Sequence, residues 1–333
     1  MPATTTAASS DDGVVFCHNG PSRVAPSLSS FVLKLETYLR MTEIPYKEEV
    51  SLKKSPKGKI PFVKIDGKDL GDTNFIIPYL NKKYEKDLDA SLNLQEKSIS
   101  LAFKRLIEEN LYWTMVHYRW VENYSSFSKI IPVTGFYKKI MPIAGAMILK
   151  PNVKSNLNGH GMGRHSVKEI HEISANDLKA LSDYLGDKQF FMGENPTEID
   201  ASLFGLLAQF RFTMPESEQE KLMKDDLKNL GEYTDRMRDR YFSDWEEKLL
   251  QEKKKVEEVP ETKKAESEGE KNGSGDKVEE KEEKNGSGDK VEENEDKKEE
   301  APKNGSKVEE VAGAQDGKQV DEEKPTEEKK DEA

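Results

Sequence analysis

The sequence predicts a small α/β domain over residues 13–90, an all-helical domain over residues 91–250, and a C-terminal tail without a core. Three observations support this division. In the first segment, short apolar runs bounded by Gly, Pro and Asn surround one amphipathic pattern, which is typical of mixed strands and helices. The second segment carries helical periodicity. Residues 251–333 contain 18 Lys and 29 Asp or Glu, but no Phe, Tyr or Trp.

The acidic character of the chain comes from this tail. The formal net charge is −12, yet residues 1–250 contain 34 basic and 35 acidic side chains. The motif EKNGSGDKVEE occurs at residues 270–280 and again at 283–293. Ordering such a segment costs about 1–2 kcal/mol per residue, with little apolar area to offset it. We therefore expect residues 251–333 to be disordered, either as a solvated chain without a partner or as a partner-binding arm. We expect the Ala/Thr/Ser-rich residues 1–12 to be disordered too.

Composition excludes several classes of protein. Cys17 is the only cysteine, so we expect neither a disulfide framework nor a metal site. Residues 1–12 lack the basic and apolar character of a targeting sequence. The most apolar stretch, Ile140–Leu149, has ten residues, about half of a membrane span. We predict a soluble cytoplasmic protein with no transmembrane segment and no nucleic-acid partner, in which this stretch covers part of a groove or a partner surface.

The first segment is interpreted as strand, helix, strand, then two strands and a helix. Apolar residues recur at helical spacing after Ser29, which is a good N-cap, and the pattern stops before Pro45. Asp66-Gly67 is a strong hairpin signal between the last two strands. The predicted strands are Val14–Phe16, Tyr46–Val50, Ile60–Ile65 and Asp69–Gly71, and a second helix runs from Phe75 to Tyr84.

Residues 92–245 carry only helical signals. A long apolar face runs from Ile99 to Met115, a second helix covers Glu169–Leu185, and Thr197 with Asp200 resembles a capping box. Prolines and glycines make residues 125–164 poor in helix signals, and we interpret them as a long, partly apolar insertion between the helices of the bundle. His160, Arg164 and His165 flank a Gly-rich turn there, and we favour a structural joint over an anion site.

An α/β domain of this order followed by helices resembles the glutathione-transferase-like superfamily, in which the first domain is thioredoxin-like. Within it, the chain is similar to the failed axon connections family, relatives of the metaxins. The resemblance covers about residues 13–246 and leaves out the tail. The segments that carry it are PSLSSFVLKLETYLR (26–40), IPYKEE (44–49), SPKGKIP (55–61), GHGMGRHS (159–166), YLGDKQFFMG (184–193) and LFGLLAQF (203–210).

The resemblance implies a glutathione site at named positions. Ser29 is the candidate catalytic residue, a hydroxyl donor to the thiolate at the start of the first helix. Lys59, Ile60 and Pro61 form the loop before a cis-proline, where the Ile60 backbone holds the tripeptide. Asp72 and Thr73 open the second helix and bind the γ-glutamyl ammonium and carboxylate. Each residue also has a structural explanation, since Ser29 and Asp72 are good caps and Pro61 belongs to the fold.

Two functions remain open from the sequence. In the first, the protein binds glutathione, or a similar small anionic thiol, and conjugates it to an electrophile. In the second, it is a non-catalytic adaptor with a role in axon development, as the family's link to axons implies, and the tail or the 125–164 insertion binds a protein partner. Glutaredoxin-type redox chemistry is disfavoured because Ser29 and Val32 provide no sulfur. A homodimer is compatible with either function.

Overall fold

The computed structural model describes residues 13–51, 53–131 and 137–249, without the side chains of residues 137–139 and 141. The predictions for residues 1–12 and for the tail lie outside these ranges. A mixed sheet and its helices come first, followed by helices alone, so the predicted fold class is confirmed.

The sheet has four strands in the order β2-β1-β3-β4. These are β1 (Val14–His18), β2 (Tyr46–Val50), β3 (Phe62–Ile65) and β4 (Lys68–Gly71). β1 and β2 are parallel, whereas β3 is antiparallel to both β1 and β4. Cys17 pairs with Phe62, and Phe62 pairs with Gly71. The end of β1, the start of β3 and the end of β4 therefore meet at one edge of the sheet.

Two helices pack on this sheet, α1 (Ser30–Met41) and α2 (Thr73–Tyr84). The face of α1 that carries Leu35 and Tyr38 is buried in the core of the α/β domain. Leu33 belongs instead to the core of the helical domain. Helix α1 thus has apolar residues on two faces and lies between the two cores.

Within the described residues, the regular elements of the second domain are all helices. Helix α3 (Leu94–Arg105) continues through a π-helical segment (Leu106–Leu111) into α4 (Tyr112–His117) and a second π segment (Tyr118–Glu122). The remaining helices are α5 (Tyr124–Ile130), α6 (Tyr137–Ala144), a π segment (Gly145–Leu149), α7 (Lys150–His160), a 3₁₀ turn (Met162–Arg164), α8 (Val167–Leu185), α9 (Glu198–Thr213), α10 (Glu218–Asp225) and α11 (Lys228–Tyr241).

The 125–164 insertion contains more helix than the sequence indicated. Pro142 lies inside α6, while Pro151 occupies the first turn of α7, where the missing N–H costs least. A π segment, with its wider hydrogen-bond spacing, lies between the two prolines. The prolines and glycines weaken the helix signals in the sequence, but they do not prevent helices here.

Helix α9 holds the two domains together through a close approach to α1. A Cβ atom at Gly205 would lie 2.5 Å from the Ser30 carbonyl oxygen and 2.9 Å from the Lys34 nitrogen. Thr197 and Asp200 form the predicted capping box, in which the Asp200 carboxylate accepts from the Thr197 N–H at 2.8 Å and from the Thr197 hydroxyl at 2.9 Å. Asp200 is fully buried and also accepts hydrogen bonds from the Phe191 N–H and the Tyr233 hydroxyl. This network fixes the start of α9, the helix against which α1 packs.

Candidate functional site

Ser29 caps helix α1, the first helix after β1. Its Oγ accepts a hydrogen bond from the Val32 N–H at 3.4 Å. A serine hydroxyl can donate once and accept twice, and the Ser29 hydroxyl donates to no described residue. The side chain is half-buried. The capping role and the predicted donor role are therefore compatible, because capping uses only a lone pair.

The loop before β3 presents backbone groups at the sheet edge where β1 and β4 end. The Ile60–Pro61 bond is cis, as the resemblance implied. Ser55 closes the loop, since its N–H donates to the Lys59 carbonyl at 2.9 Å and its Oγ accepts from the Lys59 N–H at 3.3 Å. Neither backbone group of Ile60 has a backbone partner within the described ranges. The Lys59 side chain is exposed, so only its backbone has a structural role.

The start of α2 combines an unusual backbone conformation with a well-placed carboxylate. Asp72 has φ 79° and ψ 115°, a conformation that costs residues with a Cβ about 1–3 kcal/mol and is often found at functional sites. One carboxylate oxygen accepts from the Asn74 N–H at 3.0 Å. The other lies 3.5 Å from the Lys57 ammonium, which also stands 3.9 Å from the Phe75 ring centre. Asp72 is thus already placed to bind a primary ammonium group.

Thr73 contributes a buried hydroxyl without a hydrogen-bond partner. The residue is 2% exposed, and its Oγ1 makes no hydrogen bond within the described part of the chain. A buried polar group left unsatisfied costs about 1–3 kcal/mol. The Asn74 and Phe75 N–H groups of the first turn already bond to Asp72, but the helix dipole still favours an anion at this end of α2. A ligand carboxylate there would accept a hydrogen bond from the Thr73 hydroxyl.

Behind these residues, a buried polar cluster joins the two domains. Nζ of Lys34 on α1 lies 2.5 Å from Oε1 of Glu108, which also accepts from the Ser202 hydroxyl at 2.9 Å. The Asn74 amide donates to the other Glu108 oxygen at 3.2 Å. Burial lowers the pKa of Lys34 despite this carboxylate. Burial acts to raise the pKa of Glu108, but the Lys34 ammonium and the hydroxyl and amide donors hold it below its ordinary value.

A small pocket opens on this cluster between the domains. Its walls include Ser30 and Phe31 from α1, Lys34, Glu108 and Tyr112. The rings of Phe31 and Tyr112 contact each other in this wall, with 5.2 Å between their centroids. The pocket therefore combines an aromatic wall with one ion pair, beside the start of α1.

Sequence reasoning missed Arg119, which supports the segment in front of Ser29. Arg119 is 3% exposed and donates to the Leu28 carbonyl at 2.8 Å and to the Gln209 side chain at 2.6 Å. Gln209 in turn donates to the Ser27 carbonyl at 3.2 Å. No carboxylate of the described residues lies within ion-pair distance of Arg119, and burial lowers its pKa to about 10. A buried arginine cannot be recognised by spacing, so no sequence pattern could have indicated this role.

Two other sequence candidates have structural roles. His160 stacks on Trp113 with 4.7 Å between ring centroids and bonds to the Glu109 carbonyl through Nε2 at 2.8 Å. Arg164 donates to the Asn158 carbonyl at 3.1 Å. The joint that we favoured over an anion site is thus observed. Cys17 is fully buried, and burial raises the pKa of its thiol to about 11.

Comparison with known protein families identifies both domains. Residues 30–126 match the glutathione S-transferase N-terminal domain, and residues 174–237 match the glutathione S-transferase C-terminal domain. The structure is similar to the crystal structure of a beta-etherase from Sphingobium sp. strain SYK-6, with TM-score 0.50 and 13% identity, over 73% of this chain and 99% of that chain. At this identity the similarity shows the fold alone.

Three curated relatives are informative. "Failed axon connections" of Drosophila melanogaster is 33% identical in an alignment of 270 positions that covers 75% of this chain and 63% of that protein, so the chain spans less than two thirds of it. The isoprene-epoxide–glutathione S-transferase of Rhodococcus sp. (strain AD45) is 35% identical over 66% of this chain and 96% of that enzyme. Metaxin-1 of Mus musculus is 29% identical over 58% of this chain and 64% of that protein. The chain therefore belongs to the failed axon connections family of the glutathione-transferase-like superfamily.

Proposed function

We propose that this protein binds glutathione at the common sheet edge and conjugates it to a small electrophile held in the interdomain pocket. The observation that carries the proposal is the start of α2. There the Asp72 carboxylate faces the ammonium group of Lys57. The next residue, Thr73, has a buried hydroxyl without a hydrogen-bond partner among the described residues. The α-amino and α-carboxylate groups of a γ-glutamyl residue match this pair in charge and in adjacency.

The remaining contacts follow along the same edge. The unpaired backbone of Ile60 is suited to hold the extended tripeptide as an added strand. The thiol then lies near Ser29, whose free hydroxyl donates to the developing thiolate and lowers its pKa. Arg119 adds buried positive charge next to Leu28, which also favours the anion.

For the electrophile, an epoxide is the first class to test, because one relative is named as an isoprene-epoxide–glutathione S-transferase. Thiolate attack on an epoxide carbon breaks a C–O bond and leaves an alkoxide that needs a proton. The Lys34 ammonium lines the pocket and can supply it. We favour this function over the adaptor, because the site keeps a charged and hydrogen-bonding set that a purely structural domain does not need.

Calorimetric titration with glutathione tests the binding half of the proposal. Wild type should bind at millimolar glutathione or below. Asp72→Asn keeps the cap and tolerates positive φ, but it removes a charge-assisted contact of about 1.5–3 kcal/mol. Binding should therefore weaken roughly ten- to a hundredfold.

Asp66→Asn is the matched control, because Asp66 is also an aspartate with positive φ (50°) but lies in the β3–β4 turn. It should leave glutathione affinity unchanged. No binding heat from wild type would contradict the proposal, and equal affinities for wild type and Asp72→Asn would contradict the placement of the γ-glutamyl group. Loss of epoxide conjugation on Ser29→Ala, with binding retained, is the expected result for the catalytic half.

A further inference from the structure

The charge distribution of the helical domain is strongly uneven. Residues 123–168 contain six Lys and one Arg, but no Asp or Glu. The other residues of the first 250 contain 27 basic and 35 acidic side chains. An acid-free stretch of this length within an acidic protein produces a local positive potential, which attracts anionic partners. The glutathione site does not use this stretch.

The same stretch exposes apolar side chains. Ile143, Met147 and Ile148 are 63%, 72% and 63% exposed, and Ile140 and Leu149 are also exposed. They lie on α6 and the π segment that follows it. These side chains therefore do not cover a groove of the described chain, and that part of the sequence prediction was wrong.

The other side of α6 and of the π segment packs against Tyr124. Gly145 is buried where any larger residue would overlap the Tyr124 hydroxyl. That hydroxyl donates to the Pro142 carbonyl at 3.1 Å. The inward face is thus set by a close contact, and the apolar face is held outward. Lys150 and the exposed Lys154 continue the helix directly beyond the apolar residues.

We propose that Ile140, Ile143, Met147, Ile148 and Lys154 form a docking surface for a membrane that contains anionic phospholipid. A helix with an apolar face and flanking lysines lies in the interface of such a membrane, where its apolar side chains enter the headgroup boundary and its lysines meet lipid phosphates. None of the described helices combines the length and apolarity needed to cross a bilayer, so this contact is peripheral. The charge complementarity favours an anionic lipid surface, and the proposal is independent of glutathione binding.

Vesicle flotation of the full chain tests this surface. Vesicles of phosphatidylcholine with phosphatidylserine should carry the protein, and vesicles of phosphatidylcholine alone should not. Because each lysine near an anionic surface contributes about 1 kcal/mol, Lys154→Gln should lower partitioning about fivefold. High salt should release the protein.

The apolar contribution is tested by Met147→Asn and Ile143→Asn, which change exposed side chains and should leave the fold intact. Both should reduce flotation severalfold. Leu101→Asn is the matched control, since Leu101 is 49% exposed on α3 outside the basic stretch, and it should float as wild type does. Absence of flotation at low salt, equal binding to both vesicle types, or unchanged binding of Met147→Asn would each overturn the proposal.

Discussion

The buried ion pair between Lys34 and Glu108 should make the protein sensitive to loss of a single charge. The two side chains are 2% and 4% exposed, and no other carboxylate of the described residues pairs with Lys34. Glu108→Gln preserves size and one acceptor oxygen for the Ser202 hydroxyl. It leaves the Lys34 ammonium without a counter-charge at the interface between the domains.

The expected penalty is large because the remaining charge is enclosed. Removing one partner of a buried pair costs about 3–5 kcal/mol, against a total stability of about 5–15 kcal/mol for a typical protein. The double variant Lys34→Met with Glu108→Gln removes both charges. It should therefore recover most of that loss, which makes the two effects strongly non-additive.

Urea unfolding of wild type, both single variants and the double variant measures this coupling. The control is Asp183→Asn, which breaks the exposed i,i+4 pair with Lys179, where the side chains are 65% and 63% exposed. Its effect should not exceed about 0.5 kcal/mol. A loss below about 1 kcal/mol for Glu108→Gln, or no recovery in the double variant, would refute the reasoning.

Three further predictions concern titratable groups. Burial raises the pKa of Asp177 to about 6, so the folded chain keeps a proton that the unfolded chain releases near pH 4, and stability falls as pH rises between these values. Asp177→Asn should therefore stabilise the protein by about 1–2 kcal/mol at pH 7 and should have no effect on stability at pH 4. Melting curves at both pH values measure this, and equal gains in stability at the two pH values would contradict it. Cys17 should resist thiol reagents at pH 8 until the protein unfolds, because burial raises its pKa to about 11; labelling of the native protein at the rate of a free thiol would contradict this. Arg119→Met should raise the pKa of the bound glutathione thiol, and Arg119→Lys should raise it less, as thiolate absorbance measured against pH would show. Equal thiol pKa values in wild type and both variants would show that Arg119 only supports the segment before Ser29.

Local patterns predicted the α/β domain well, because its signals are short-range. Ser29 caps α1, and the Asp66-Gly67 turn lies between β3 and β4, as the sequence indicated. The same reasoning failed for residues 125–164. Pro142 is a helix breaker by propensity, but tertiary contacts around Gly145 hold a helix there.

The site was predictable only where its residues belong to recognisable local motifs. Asp72 and Thr73 open a helix, and Pro61 lies in a characteristic loop. The interdomain contacts could not be derived from the sequence, since Lys34 and Glu108 are 74 positions apart, and neither spacing nor periodicity pairs them. Whether Ser29 and the α2 residues act on glutathione stays a prediction.

The most direct test of the account is whether a thiol placed at Ser29 reacts with glutathione disulfide faster than exposure alone explains. Ser29→Cys places a cysteine at a helix N-terminus, where its pKa falls, next to the proposed tripeptide site; Ser98→Cys is an exposed control on α3. Mass spectrometry should show the mixed disulfide forming at least about tenfold faster at position 29, with an excess of S-methylglutathione suppressing that advantage. Equal rates at the two positions, or no effect of S-methylglutathione, would contradict a glutathione site at the start of α1.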